Sequence, residues 1–161
     1  MQKIVTHLWF DDQAEEAAKF YTSIFKNSKV GAVSRYSDAV AAAVGRKPGS
    51  AMTVQFELDG QTFYALNGGP MFKFSEAISL VVNCKDQAEL DEVWDKLLAG
   101  GGKPQQCGWL KDKFGLSWQV VPTVLAELMS GSDPARAARV MQALMPMVKL
   151  DIAGLRRACE G

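Results

Sequence analysis

The feature that most constrains this chain is a pattern that occurs twice. The tetrapeptide Asp-Gln-Ala-Glu stands at residues 12–15 and again at residues 86–89. Each copy follows an apolar run, residues 8–10 in the first case and residues 80–82 in the second. Each also opens a stretch in which apolar residues recur at helical spacing. The same strand-to-helix transition at both positions predicts one half-fold written twice.

The first half predicts the element order βαβββ. Residues 4–10 are rich in β-branched and aromatic side chains and are predicted to form a strand. Asp12 and Glu15 match a capping box, in which two side chains satisfy the free amides at the start of a helix. A second strand is predicted at residues 29–36. Residues 37–50 contain small residues, glycines and a proline, and are predicted to form a loop.

The last two strands of this half are predicted to form a hairpin. Apolar and polar side chains alternate over residues 52–58, which is the period of a half-buried strand. Asp59-Gly60 is a dipeptide typical of type I′ turns, because both central residues of that turn need a positive φ. Residues 61–67 then return as the partner strand.

The second half predicts the same order. Its elements are a strand at 77–83, a helix opened by Asp86 and Glu89 and stopped by Gly100–Gly102, and strands at 105–110 and 116–121. A helical tail follows from Thr123, with Asp133 and Asp151 as predicted N-caps. We favour the interpretation that the tail packs on its own domain, and a dimer surface is the alternative. The sequence therefore predicts an α+β fold of two βαβββ repeats with C-terminal helices.

Composition limits the class of protein. The 161 residues are 48% apolar, which suits one domain over residues 1–161, with halves at 3–70 and 77–122 and a tail at 123–161. The formal net charge is zero, so neither a nucleic-acid surface nor a membrane patch is expected. The three cysteines form no CxxC pair, and the chain opens directly into strand-like sequence. A cytoplasmic protein without disulfides is the simplest expectation.

Three segments resemble a known family. Residues 11–25, 60–70 and 106–122 look like the PhnB-like family, whose members are often labelled 3-demethylubiquinone-9 3-methyltransferase. This family lies in the glyoxalase, or vicinal oxygen chelate, superfamily, which includes glyoxalase I and extradiol dioxygenases. The resemblance extends over nearly the whole chain, including the tail around residues 148–152. It implies that a sheet from each half curves around a cavity, and that the protein is a homodimer.

In metal-dependent members of the superfamily, four side chains, two per half, hold a divalent ion. By resemblance, the last-strand positions here are Gln119 and its first-half counterpart Tyr64. The first-strand position lies within residues 5–7, where only His7 would bind a transition metal well. The fifth-strand position lies within residues 76–78, where only Glu76 could serve. Such a site needs imidazole and carboxylate ligands. Because Tyr64 and Gln119 supply neither, we expect no metal or other cofactor. A divalent metal at these four positions is the alternative.

Several side chains are candidates for a ligand-binding cavity. They are His7, Trp9, Tyr64, Asn67, Cys107, Trp109 and Gln119. Each also has a structural interpretation. For the tryptophans the alternative is core packing, with the indole N–H donating to a carbonyl. The alternative for Asn67 is a cap on its own turn, that for Cys107 is an inert buried thiol, and that for His7 is a solvent-facing or hydrogen-bonded strand residue. Strand alternation predicts that Trp9 shares a face with His7, and that Trp118 lies opposite Gln119.

Three functional hypotheses follow. The first, which we favour, is a protein that binds a small organic molecule without catalysis. The second is a metal-dependent isomerase, lyase or dioxygenase of the superfamily. The third is a methyltransferase of quinone metabolism, as in the family label. A glycine-rich strand-to-helix turn of the kind found in conventional enzymes that use S-adenosylmethionine is missing from the sequence, because Gly100–Gly102 lies at a predicted helix end.

Overall fold

A computed structural model describes residues 2–131 and 133–161. It is an α+β fold in which the order βαβββ occurs in both halves and is followed by helices. The chain divides into two compact units between Lys73 and Phe74. This boundary falls between the two halves predicted from the sequence.

The elements of the first unit are β1 (Thr6–Phe10), α1 (Ala14–Ile24), β2 (Lys29–Arg35), α2 (Asp38–Val44), β3 (Ala51–Leu58) and β4 (Gln61–Asn67). Those of the second unit are β5 (Ser79–Cys84), α3 (Gln87–Leu98), β6 (Lys103–Pro104), β7 (Trp109–Lys111), β8 (Ser117–Pro122), α4 (Val124–Met129), α5 (Pro134–Leu144) and α6 (Ile152–Glu160).

The two sheets have the same strand order. The first sheet runs β1-β4-β3-β2 and the second runs β5-β8-β7-β6. In each sheet the first and last strands of the half pair in parallel, while the other neighbours are antiparallel. This shared topology confirms the two βαβββ repeats.

Strand alternation buries one face of the first sheet against α1. Val54 and Phe56 of β3 are buried, and so is Phe63 of β4. The Phe56 and Phe63 rings stack with centroids 5.4 Å apart, and Tyr21 of α1 lies 6.1 Å from Phe56. The side chains between these positions therefore lie on the opposite face.

The Asp59-Gly60 hairpin is confirmed. Asp59 has φ 47° and Gly60 has φ 76°, so both central residues are in the left-handed region that a type I′ turn needs. The turn joins β3 to β4 in the predicted register, with Leu58 paired to Gln61.

The predicted capping box of α1 is wrong. The N-cap is Gln13, and no side chain of its own caps the helix. The amide of Ala14 instead donates to Oδ1 of Asn67, 2.8 Å away. Asp12 and Glu15 are thus not needed as caps, and Glu15 lies 3.6 Å from Arg35 in an ion pair.

The predicted loop at 37–50 contains a helix, α2. Ser37 caps its start by accepting from the amide of Val40, and Gly45 ends it with φ 70°. Six of the seven residues between these caps are alanines or valines, and Ala41 among them is fully buried. Local capping and alanine propensity therefore prevail over the nearby glycines and proline.

The second capping box is confirmed. Oδ1 of Asp86 accepts from the amide of Glu89 at 2.9 Å, and Oε2 of Glu89 accepts from the amide of Lys85 at 2.7 Å. After α3 ends, Gly100 and Gly101 have φ of 82° and 117°. These conformations explain why glycines follow the helix.

The strand predicted at 105–110 is wrong. Only its last two residues belong to β7, and Cys107 and Gly108 form a turn with positive φ. Their amides donate to the carbonyls of Met147 and Val148 at 2.7 and 2.8 Å. The amides of this turn thus donate to the tail, whereas the carbonyl of Gly108 accepts from the amide of Val120 in β8 at 2.8 Å.

The tail packs on its own unit, as we favoured. The predicted caps are confirmed, because Asp133 accepts from the amide of Ala135 at 3.0 Å and Asp151 accepts from that of Ala153 at 3.1 Å. Helices α4, α5 and α6 pack against one another. None of the helices formed by the described residues combines the length and apolar character needed to cross a bilayer.

Gln87 of α3 holds the tail in place. Its side-chain amide donates to the carbonyl of Leu150 at 3.1 Å and accepts from the amide of Ile152 at 2.9 Å. Asp91, one turn later, forms a 2.9 Å ion pair with Lys149. The hydrogen bond from Gln87 and the contact with Lys149 lower the pKa of the Asp91 carboxyl below its ordinary value.

Candidate functional site

The first sheet presents a row of aromatic and polar side chains on the face opposite α1. His7, Tyr64 and Gln55 are paired across β1, β4 and β3. The rings of His7 and Tyr64 stack with centroids 5.8 Å apart and an angle of 11° between their planes. His7 is exposed and Tyr64 is half-buried. The structure therefore brings together two of the predicted site residues.

Trp9 lies on the same face as His7, as alternation predicted. Its indole N–H donates to the carbonyl of Gly69 at 2.8 Å, and Phe72 packs edge-on at 4.9 Å. A Cβ on Gly68 would lie 2.3 Å from the indole ring. Trp9 thus lies closely against the Gly68-Gly69 turn, and glycine at position 68 makes that approach possible.

Asn67 has a structural role at the end of β4. It is buried, its Oδ1 accepts from Ala14, and its Nδ2 donates to the carbonyl of Ala51 at 3.1 Å. The Tyr36 hydroxyl donates to its backbone carbonyl at 2.6 Å. The side chain therefore joins α1, β3 and β4, and both ends of its amide are already used within the unit.

The second sheet has a corresponding row on the face opposite α3. Val81, Gln119 and Trp109 are paired across β5, β8 and β7. The Gln119 amide donates to the Ser79 hydroxyl at 2.8 Å. Trp118, the next residue back, is buried on the other face, which confirms the predicted alternation.

Asp112 is hydrogen-bonded to Trp118 on the buried face of the second sheet. This buried carboxylate accepts from the Trp118 indole N–H at 2.8 Å and from the amides of Phe114 and Leu116 at 2.9 and 3.1 Å. It fixes the connection between β7 and β8. Sequence analysis did not single out Asp112, because an aspartate beside a glycine-centred turn looks like an ordinary turn residue.

Glu76 is placed differently from the expectation. It precedes β5, which begins at Ser79 instead of residue 77, and the residue paired with Gln119 is Val81. Oε1 of Glu76 lies 2.5 Å from Nζ of Lys111 and 3.5 Å from Nε2 of Gln105, which donates to it. The hydrogen bond from Lys111 lowers the pKa of the Glu76 carboxyl below its ordinary value.

Ser117 is a second unexpected feature of the face opposite α3. It is paired with Ser79 on one side and Lys111 on the other, and it shares the parity of Gln119. Ser117 is completely buried, yet among the described residues its hydroxyl has no hydrogen-bond partner. An unpaired buried hydroxyl is costly, so a partner at this position would stabilise the protein.

The cysteines do not join either row. Cys107 lies in the turn before β7, and its thiol donates to the carbonyl of Met145 at 3.4 Å. Cys84 is buried at the end of β5. Burial, with smaller effects from Glu89 and Asp86, raises the pKa of its thiol to about 12.

The side chains do not fit the metal centre that the resemblance implies. Counted back from the end of each parallel strand pair, the fourth pair is His7–Tyr64 in the first unit and Val81–Gln119 in the second. These positions supply one imidazole, one phenol, one aliphatic group and one amide, whereas transition metals prefer imidazole, thiolate and carboxylate. Within residues 2–131 and 133–161, no three His, Cys, Asp or Glu side chains form a group that could hold a metal ion.

A cavity of about 310 Å³ lies in the tail. Its lining residues are Leu128, Arg136, Arg156, Cys159 and Glu160. None of the site residues predicted from the sequence is among them. This cavity is therefore separate from the faces opposite α1 and α3.

Comparison with known proteins identifies the family. The model of the family described as 3-demethylubiquinone-9 3-methyltransferase matches residues 2–121. The chain belongs to this family. The match covers both βαβββ repeats and ends before α4, so it does not extend to the tail as the sequence resemblance suggested. The matched family and the observed pair of βαβββ repeats are those that the sequence resemblance implied.

Solved structures agree with this assignment. A PhnB protein from Bacillus cereus, which carries the same methyltransferase description, is 36% identical, with 76% of this chain and 100% of that chain covered and a TM-score of 0.67. Protein PA1353 from Pseudomonas aeruginosa is 18% identical, with 76% and 98% covered and a TM-score of 0.59, and shows a shared fold alone. No match was found among curated proteins.

Proposed function

We propose that this PhnB-like protein binds a small organic molecule on its sheet faces and does so without a metal ion. The observation that carries this proposal is the set of side chains at the two equivalent strand pairs, His7–Tyr64 in the first unit and Val81–Gln119 in the second. One holds the stacked His7–Tyr64 pair and the other holds the Gln119 amide bonded to Ser79. Aromatic surface with a few amide and hydroxyl groups is the usual lining of a site for organic ligands.

Both faces offer the two kinds of contact that such a ligand needs. Trp9 and Trp109 are half-buried and lie on these faces, Trp9 two residues from His7 and Trp109 paired with Gln119. Gln55 and Gln119 supply amides on the same faces. We further propose that the protein works in the cytoplasm as a homodimer, in line with the family resemblance.

Native mass spectrometry of protein purified gently, without chelator or a histidine tag, tests the proposal. We expect a dimer without a stoichiometric divalent ion and with an added mass of a small organic molecule. One divalent ion per chain, lost in His7→Ala but retained in the control Cys107→Ser, would instead establish the metal-dependent enzyme.

The methyltransferase hypothesis needs its own measurement. Calorimetric titration with S-adenosylmethionine at millimolar concentration should give no heat of binding if our proposal is right. Saturable binding of S-adenosylmethionine on either sheet face would favour the methyltransferase hypothesis over our proposal. Turnover of any ligand that is lost in Gln119→Leu would also contradict a purely binding role.

A further inference from the structure

We propose that the face opposite α3 binds a carboxylate group through Lys111, and that Glu76 holds the place of that carboxylate in the ligand-free protein. This inference rests on the proposed function and names the chemical class of its ligand. It starts from the Glu76 carboxylate, whose Oε1 receives both the Lys111 ammonium at 2.5 Å and the Gln105 amide at 3.5 Å. Two donors from different segments thus converge on one carboxylate oxygen, which is how proteins recognise carboxylates.

Ser117 is the independent sign that the position serves a ligand. It neighbours Lys111 across the sheet, is fully buried, and has no hydrogen-bond partner among the described residues. The Ser79 hydroxyl on its other side already accepts from Gln119. A ligand carboxylate bound at Lys111 would give the Ser117 hydroxyl an acceptor that Glu76 does not provide.

The neighbouring row supplies an apolar surface for the rest of the ligand. Trp109, Gln119 and Val81 lie two residues along the strands from Lys111 and Ser117, a separation of ~7 Å. A six-membered ring attached to a carboxylate spans this distance. Val81 is 52% exposed although it is apolar. A ring lying over Val81 and Trp109 would remove that apolar surface from water.

Glu76 is suited to be displaced. It lies between β4 and β5 in a segment without helix or strand, and its side chain is 53% exposed. An ion pair with this much exposure contributes little stability. A ligand carboxylate that also reaches Ser117 would therefore replace Glu76 on Lys111, and the released glutamate would be solvated.

The test uses benzoate as the probe and benzamide as its neutral counterpart, titrated into the whole protein by calorimetry. We expect benzoate to bind and benzamide to bind at least about tenfold more weakly, because a charge-assisted hydrogen bond is lost. Lys111→Met should weaken benzoate at least about tenfold for the same reason. Glu76→Gln should tighten it by about two- to fivefold, since the competing exposed ion pair is weak.

A matched control exists on α3. Lys96 and Glu92 form an ion pair of the same length, also 2.5 Å, on an exposed helix surface. Lys96→Met and Glu92→Gln should leave benzoate affinity unchanged. Equal affinities in Glu76→Gln, Lys111→Met and the two control variants would overturn the inference. Weaker binding of benzoate to Glu76→Gln than to the natural protein would also overturn the inference. This result does not depend on whether Lys111→Met folds.

The outcome is separable from that of the proposed function. If native mass spectrometry finds a bound neutral molecule while benzoate binds neither the natural protein nor Glu76→Gln, the carboxylate inference is wrong and the proposed function stands. If gently purified protein carries a stoichiometric metal ion, the proposed function is wrong. In that case, benzoate affinities measured after a chelator has removed the metal would test the carboxylate site separately.

Discussion

Replacing Asn67 by alanine should destabilise the protein more than any single capping residue does. The change leaves the amide of Ala14 and the carbonyl of Ala51 without their partners, and both residues are buried. Each unsatisfied buried group costs about 1–3 kcal/mol. Because single substitutions rarely cost more than about 4 kcal/mol, we expect a loss of about 2–4 kcal/mol in the free energy of unfolding. For a chain of this size that corresponds to a fall of about 5–15 °C in melting temperature.

Urea denaturation and thermal melting, both followed by circular dichroism, would measure the loss. Two variants calibrate it. Asp86→Ala removes a true N-cap, which should cost about 1 kcal/mol. Asp12→Ala removes the residue that the sequence pattern alone would select as a cap, and should change stability by less than about 0.5 kcal/mol. If Asn67→Ala is no more harmful than Asp12→Ala, the reasoning that Asn67 joins α1, β3 and β4 is refuted.

Two further predictions follow from close packing and burial. Gly68→Ala places a Cβ 2.3 Å from the Trp9 indole. It should lower the free energy of unfolding by about 1–3 kcal/mol in urea denaturation and change the tryptophan fluorescence. An unchanged stability would contradict the position of Trp9. Because burial raises the pKa of Cys84 to about 12, iodoacetamide at pH 8 should leave it unmodified in native protein while the half-buried Cys107 reacts. Peptide mapping that finds equal modification of both would contradict the burial of Cys84.

The parts of the fold that sequence predicts well depend on near neighbours. The Asp59-Gly60 turn sets its own backbone angles, and the alternation on both sides of it then fixes which side chains are buried. The same alternation placed Trp9 with His7 and set Trp118 opposite Gln119. The helix at residues 38–44 also has local signals in Ser37 and Gly45, but the glycines and the proline of the segment favour a loop.

The parts that sequence missed depend on residues far along the chain. Asn67 lies 53 positions from the amide that it caps. The turn at Cys107 is held by Met147, a residue of the tail. The contact between Lys111 and Glu76 and the isolation of the Ser117 hydroxyl likewise require the folded sheet. Neither a periodicity nor a motif predicts these contacts. Each contact joins segments that are far apart in the sequence, and the sequence alone does not show that they are close in the folded protein.

The two copies of Asp-Gln-Ala-Glu have different structural roles in the two halves. Asn67 is the last paired residue of β4, and the residue at the same position of β8 is Pro122. A proline side chain can neither donate nor accept a hydrogen bond, so β8 offers α3 no counterpart of the Asn67 side chain. Helix α3 therefore depends on Asp86 in its own tetrapeptide, whereas α1 takes its cap from β4 and leaves Asp12 unused. The two halves therefore differ both in the residue that ends the last strand and in the source of the helix cap. They differ in the same way at the equivalent pairs His7–Tyr64 and Val81–Gln119, where one strand topology carries different chemistry.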